Sequence, residues 1–384
     1  MRPDVPAILI VVCLALAGCV GAKSRDILAD ADVAATLAPR ASHRIHIATT
    51  RALSDRATEV FSRERSQYLA FGYVDVAVPP RHKVGDLSRP RGGKPNPAEH
   101  FIATRVGVHG SQEAFARTMR EDLRRSGGRA LIFVHGYNNR FDSSVYRLAQ
   151  LVEDSGFTGT TVLFSWASAG RTFEYIYDKD SVNAAREELE DTMRILAENG
   201  ATRIELVAHS MGTWLAVEAL RQLAIAGNPD LGGRLGDVVL ASPDIDIDVF
   251  RSQMLRIGKP KQPFFVLLSA DDRALRLSSM LAGQSPRVGA YADADDLAEL
   301  GVIVVNMSEL KAGDRRNHTK FANNPLLVRL LGAQLDDPDA FTGTSTEVGD
   351  AIAAVARGLG HKVGSTVELV ITAPGEVMRI PVRN

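Results

Sequence analysis

The sequence predicts an α/β chain built on a doubly wound, mostly parallel sheet, with antiparallel strands added at its N-terminal edge. Two observations carry this. From Ala130 to about Leu335, short apolar segments alternate with longer segments of helical periodicity, as successive strand–helix units do. Ahead of them, His43–Thr50 and Tyr68–Val78 alternate apolar with polar residues, the pattern of half-buried strands.

A chain of 384 residues holds one large α/β domain with extensions, or two domains. With 45% hydrophobic and 24% charged residues and a net charge of −1, it lacks the basic excess of a nucleic-acid binder. Both cysteines, Cys13 and Cys19, fall in the first twenty residues, so the body of the protein has no thiol for a disulfide, a cluster or a nucleophile. The nine histidines show no tight metal-ligand spacing.

Residues 1–18 have the form of a signal peptide. Arg2 precedes a continuous apolar run from Ala7 to Ala17, too short to span a bilayer comfortably. The run ends in Leu16-Ala17-Gly18-Cys19, which resembles a bacterial lipobox and implies cleavage before Cys19 and acylation of that residue. Several acyl chains would anchor the protein stably to a membrane. Val20, rather than aspartate, favours the outer membrane of the cell envelope over the inner. Residues 19–42 read as the lipidated N-terminus and its tether, and 43–335 as a catalytic domain.

Within that domain, Pro79–Pro97 is an exposed Pro-, Gly- and Arg-bearing loop, Phe101–Val108 a strand and Glu113–Arg125 a helix stopped at Gly127-Gly128. The buried strand Ala130–Val134 runs into His135-Gly136-Tyr137-Asn138-Asn139, then a helix at Ser143–Asp154. Strand Thr161–Ser165 and a long helix from about Asp180 to Asn199 follow. Strand Ile204–Ala208 leads into Ser210 and a helix carrying Trp214, Leu215, Val217, Leu220 and Leu223. Strands Asp237–Ala241, Phe264–Ser269 and Gly301–Asn306 complete the set, with a closing helix at Pro325–Leu335. Residues 336–384 form a C-terminal extension with a short helix (Gly349–Gly358) and a strand (Thr366–Thr372), either a small appended hairpin or a partly ordered tail.

The chemistry centres on Ala208-His209-Ser210-Met211-Gly212. A strand turning within a few residues into a helix leaves Ser210 at a sharp corner, and the small residues Ala208 and Gly212 let the two backbones nearly touch. This is an Ala-x-Ser-x-Gly form of the nucleophile elbow of α/β-hydrolases; a helix N-cap is the plain alternative for the same serine. A serine nucleophile needs a base, an acid to orient the base, and donors for an oxyanion. Asp272 follows one strand and His318 the last, in the order Ser–Asp–His. Asp271, Asp244 and Asp246 compete with Asp272 for the acid, and Asp244 has the alternative of a turn after Pro243. The Met211 amide at a helix start and the Tyr137 amide in the loop after His135-Gly136 are the expected oxyanion donors. His135 reads as a loop-shaping residue and His209 as shaping the elbow or lining the cleft. Trp166, Phe173, Tyr175 and Tyr177 either wall an acyl pocket or pack beneath a loop.

The stretches IHIATTR (45–51), LIFVHGYNNRFD (131–142), VLFSWASAG (162–170), VAHSMG (207–212), SPDIDIDVF (242–250), DDRALRLS (271–278) and Asn317-His318 together resemble the bacterial α/β-hydrolases of unknown function called DUF900. The resemblance covers roughly residues 43–335 and implies the α/β-hydrolase fold and the triad Ser210, Asp272 and His318. It picks Asp272 over Asp271 because the acid precedes a basic residue and Ala-Leu. Ala167 stands where the family has proline. The expectation is a lipid-anchored serine hydrolase, a carboxylesterase or lipase-like enzyme that takes a small-molecule or lipid acyl substrate and requires no cofactor. An acyltransferase with the same triad, or a non-catalytic envelope-binding lipoprotein, are the alternatives. The intact triad separates the expected enzyme from the second of these.

Overall fold

The computed structural model describes residue 27 and residues 38–90, 94–311, 314–337, 340, 345–358 and 366–383. The expected signal peptide and Cys19 lie outside the described residues.

Three strands come first, β1 (Ala41–Leu53), β2 (Phe61–Val78) and β3 (Ile102–His109), then helix α1 (Gln112–Arg125). Four strand–helix units follow. They comprise β4 (Arg129–Val134) with α2 (Phe141–Ser155), and β5 (Thr160–Ser165) with α3 (Tyr175–Ala184) and α4 (Arg186–Glu198). The other two are β6 (Arg203–His209) with α5 (Met211–Ile225), and β7 (Leu235–Ala241) with α6 (Ile247–Ile257). Strand β8 (Phe264–Leu268), helices α7 (Arg273–Leu281) and α8 (Ala294–Ala298), and strand β9 (Val302–Asn306) lead to α9 (Lys320–Asn323) and α10 (Pro325–Asp336). The chain ends in α11 (Ser345–Gly358) and the strands β10 (Thr366–Ala373) and β11 (Glu376–Arg383).

The eleven strands of the described residues form one sheet in the order β11-β10-β9-β8-β7-β6-β4-β5-β1-β2-β3. From β9 through β1 neighbouring strands are parallel; β2 and β3 add antiparallel at one edge, β10 and β11 at the other. The fold is thus the α/β-hydrolase type expected, a mostly parallel sheet with antiparallel N-terminal strands. Successive residues of the central strands serve opposite faces, as strand geometry requires. Ile132, Leu206 and Leu240 pack on the side of α1, α4, α5 and α6, whereas Leu131, Val207 and Val239 pack on the side of α2, α10 and α11. Continuous apolar runs such as Ala130–Val134 reflect burial on both faces.

The strand order turns back on itself at β4. Its sequential successor β5 lies on one side, and β6 lies on the other. The loops leaving β4 and β6 therefore part to opposite faces and open a crevice at the strands' C-terminal ends, the usual ligand position in open α/β sheets.

Several expectations are corrected. The single long helix from Asp180 to Asn199 is two helices, α3 and α4, meeting at buried Ala185 (φ −100°, ψ 4°). The run of good helix formers hides the break, and α3 begins earlier because Tyr175 and Asp178 are buried anchors. Helices α6 and α7 stand where the sequence pattern marks no element; each begins at an aspartate N-cap, Asp246 and Asp272. Strand β2 begins at Phe61, because the polar residues 62–67 pair with the end of β1 in an exposed, irregular ladder. The C-terminal extension takes the hairpin form, β10 pairing antiparallel with β9 through Val370–Asn306, Ile371–Val305 and Thr372–Val304. Leu369, Ile371 and Ile352 of that extension close an apolar void of ≈ 60 Å³ over Val239 and Phe265.

Removing the residues after Asp336 leaves β9 as an open edge beside exposed apolar side chains. A chain ending there is expected to melt at a lower temperature and to self-associate with rising concentration, read by thermal unfolding and size-exclusion chromatography. A monomer with unchanged melting temperature would contradict this.

Candidate active site

Ser210 occupies the corner between β6 and α5 with φ 53° and ψ −125°, a conformation that costs an L-residue on the order of 1–3 kcal/mol. Its backbone is held on both sides. Its N–H donates to Ala241 O (2.9 Å), and its carbonyl accepts from Thr213 N (3.0 Å), Thr213 Oγ1 (2.6 Å) and Asp244 N (3.3 Å). The small residues around it are required by contact. A Cβ on Gly212 would lie 2.3 Å from His135 O, and one on Gly136 would lie 2.8 Å from Ser210 Cβ. Helix α5 therefore starts directly against the last carbonyls of β4. This geometry is an elbow; Ser210 accepts no side-chain capping hydrogen bond at α5.

Asp272 and His318 meet, with Asp272 Oδ2 2.6 Å from His318 Nδ1. The other oxygen of Asp272 accepts from Ala274 N (2.9 Å) and Leu275 N (3.0 Å) at the start of α7, so the buried carboxylate is fixed by a helix terminus and orients the imidazole. Burial disfavours the His318 cation, but the hydrogen bond and charge of Asp272, with the charges of Asp244 and Asp314, outweigh it and raise the pKa above its ordinary 6.5. The loop carrying His318 is held by two carboxylates. Asp314 accepts from the amides of Arg316 (2.7 Å), His318 (3.3 Å) and Thr319 (2.7 Å). Asp271 accepts from Asn317 Nδ2 (2.7 Å) and from the buried Lys320 Nζ (2.8 Å), which also caps Met307 O and Ser308 O. Asp271 thus supports the histidine loop and does not contact the imidazole.

The loop after β4 carries Tyr137. Among the described residues, neither the Tyr137 nor the Met211 amide donates to a protein acceptor. His135 lies beneath the loop, stacked on buried Trp166 (4.9 Å between centroids), with Nδ1 at Gly136 O (2.9 Å) and Nε2 at Trp166 O (3.2 Å). Burial pushes its pKa down to about 3, so it is a neutral, loop-shaping group.

Ser210, His318, Tyr137, His209 and Asp244 line one cavity of ≈ 480 Å³. His209 packs between the rings of His318 (4.7 Å) and Phe321 (4.9 Å) and places Nε2 3.1 Å from His318 O. Burial and the His318 charge hold its pKa well below 6.5. Asp244 forms no surface turn. It is buried, accepts from Ser278 Oγ (2.5 Å) and Tyr175 Oη (3.2 Å), and lies 3.4 Å from Arg287 Nε. Burial raises its pKa, against those partners. Asp246 caps α6 through Asp248 N (2.9 Å). Of the four aromatic residues considered for a pocket wall, Tyr175 lines the cavity; Trp166 is beneath the loop and Phe173 is 76% exposed.

Two supports escaped sequence reasoning. Arg51, at the end of β1, is fully buried and donates to Ser165 Oγ (2.9 Å), Ser168 O (3.0 Å), Ser62 O (3.2 Å) and Asn139 O (2.9 Å), tying two loops together. Asp178, on α3, accepts from Asn138 N (3.1 Å), Ser168 Oγ (2.7 Å) and Ala169 N (2.7 Å). A charged residue inside the apolar-patterned segment Ile45–Thr50 plus Arg51 was the available signal for the first; Asp178 had none. Among the described residues no group of three or more His, Cys, Asp or Glu side chains is arranged to hold a metal ion.

A family model described as "Alpha/beta hydrolase of unknown function (DUF900)" matches residues 111–334. No curated protein matches the chain. Among solved structures, one from a study of two fungal esterases of Rhizomucor miehei aligns at 12% identity over 89% of this chain and 100% of its own, with a TM-score of 0.41. A hyperthermophilic esterase from the archaeon Pyrobaculum calidifontis aligns at 13% identity over 88% and 99%, with a TM-score of 0.39. Lipase B of Aspergillus fumigatus aligns at 13% identity over only 38% of each chain, with a TM-score of 0.27.

Because a methyl group at position 212 has no space, Gly212→Ala is expected to destabilise the fold by about 1–3 kcal/mol. The denaturant midpoint reads this; an unchanged midpoint would show that the elbow tolerates a wider approach of strand and helix.

Proposed function

Since the chain belongs to the DUF900 family of α/β-hydrolases, we propose that it is a serine hydrolase of the carboxylesterase or lipase-like kind, anchored to the cell envelope by lipid on Cys19. The observation that carries the reading is the 2.6 Å contact between Asp272 and His318 on the wall of the cavity that Ser210 also lines.

In the proposed reaction Ser210 Oγ attacks the acyl carbonyl carbon while its proton passes to His318 Nε2. Asp272 keeps the Nδ1–H tautomer and stabilises the imidazolium as it forms. The carbonyl oxygen becomes an oxyanion, bound by the amides of Tyr137 and Met211; both are free to donate, and Met211 stands at the positive end of α5. Collapse breaks the bond to the leaving alcohol, which takes the proton from His318. Water, deprotonated by the same histidine, then attacks the acyl-enzyme and releases the acid. The Asp272 position is supported over Asp244 by contact, since Asp244 is engaged by Ser278, Tyr175 and Arg287.

The base must be neutral, so activity rises with pH through the His318 pKa. That pKa is raised, so the acid limb of kcat/KM should lie above pH 6.5. Asp272→Asn should move the limb downward and lower kcat by roughly 10⁴-fold. A limb that stays in place would remove Asp272 from the role of acid. Hydrolysis of a 4-nitrophenyl ester by the folded protein is the direct test of the reaction; turnover that survives Ser210→Ala would refute it. For the anchor, Cys19→Ser should abolish incorporation of labelled palmitate and release the protein from the membrane fraction. Palmitate retained by that variant would refute the lipobox.

A further inference from the structure

Arg147 projects from α2 into the same cavity that holds Ser210 and His318. It is half-buried, yet among the described residues no carboxylate forms an ion pair with it. Its bonded partners are two neutral amide oxygens, Gln150 Oε1 and Asn323 Oδ1, both at 2.8 Å and both on Nη1. Nε and Nη2 have no acceptor among the described residues. The charge is felt nearby, since it contributes to keeping His209 neutral.

The buried Arg51 and Arg287 face protein oxygens instead. Arg51 spends its donors on four fixed oxygens, and Arg287 faces Asp244. Burial pushes the Arg147 pKa down to about 10, with Asp314, Asp154 and Asp86 supporting the charge from longer range. Two of those acids are engaged elsewhere. Asp154 is held by His82 and Gln150, and Asp314 by the histidine loop. Arg147 Nε and Nη2 therefore face the cavity uncommitted among the described residues, and such a fork matches a carboxylate or phosphate. Asp244 on the cavity wall and the buried Asp272 are also committed, to Arg287 and to His318 respectively. Exposed Arg273 and Arg316 at the same cavity add positive potential that would draw an anion in.

We propose that Arg147 is the specificity determinant of this site and that the substrate is an acyl ester carrying an anionic group, a carboxylate or a phosphate, which pairs with the Arg147 guanidinium. The inference rests on the serine-hydrolase reading for its substrate class, but the anion site itself is testable without turnover.

Two pairs of chromogenic esters locate the charge. Mono-4-nitrophenyl glutarate against 4-nitrophenyl valerate places it on the acyl side. The butyryl ester of 4-hydroxy-3-nitrobenzoate against 2-nitrophenyl butyrate places it on the alcohol side. In at least one pair, kcat/KM should favour the anionic ester in the wild type, and Arg147→Gln should reduce that preference roughly 10- to 100-fold, the range of a charge-assisted bidentate contact. Arg147→Lys should retain part of it, which guards against a merely misfolded variant. An anionic-to-neutral ratio unchanged by Arg147→Gln in both pairs overturns the proposal. Binding is read separately by titrating the anionic esters into the inactive Ser210→Ala chain. Binding lost with Arg147→Gln supports the anion site even if no ester is turned over, an outcome that would sink the hydrolase reading alone. Equal binding of anionic and neutral esters to the Ser210→Ala chain overturns the anion site whatever the kinetics. Inorganic phosphate as competitor distinguishes a phosphate-shaped site, where it displaces the ester, from one that takes carboxylates only.

Discussion

The close approach of the first turn of α5 to the end of β4 governs the rest of the site. With Gly212 lying so near His135 O that a methyl group would stand 2.3 Å away, the chain leaving β6 has no room for a gradual turn. Ser210 is driven to φ 53° on the wall of the cavity. The same closeness brings the loop after β4 alongside the serine, with Gly136 too near Ser210 to bear a side chain. One steric constraint thus sets Ser210, the amide of Met211 and the amide of Tyr137 together. It operates where the strand order reverses, so the two loops diverge and leave a crevice between them.

Around that corner the protein places buried polar groups whose donors and acceptors are largely accounted for. Arg51 and Asp178 lock the loop after β4 to the loop after β5. Lys320, Asp271 and Asp314 do the same for the loop that carries His318. Asp272 joins the two kinds of order, one oxygen bound to the α7 terminus and the other to the imidazole. In a low-dielectric interior such networks rigidify what they connect, and a half-satisfied network is costly. Arg147 departs from this pattern by keeping donors unspent in the cavity.

Much of this was legible in the residues. Apolar runs bounded by glycine identified the parallel strands because burial on both faces leaves no polar alternation to misread. The elbow was visible as Ala208-x-Ser210-x-Gly212, and the order of Ser210, Asp272 and His318 along the chain agrees with where the strands end. Local signals failed where tertiary contacts decide. Nothing in the helix-forming run around Ala185 announces a break, and the polar residues 62–67 conceal an edge-strand extension. Asp244 resembled a turn residue because its partners, Tyr175, Ser278 and Arg287, are distant in sequence. Arg51 and Asp178 are supports for the same reason, reaching loops about 90 to 120 residues and 10 to 40 residues away, respectively. Short helices such as α6 and α7 were missed although their aspartate caps stood in view.

Reaction of the folded protein with a fluorophosphonate, followed by mass mapping of the modified peptide, tests whether Ser210 is an activated nucleophile. One adduct per chain is expected, on Ser210, absent from the Ser210→Ala variant and slowed by His318→Ala. No adduct on the folded protein, or an adduct on a different residue, would contradict it.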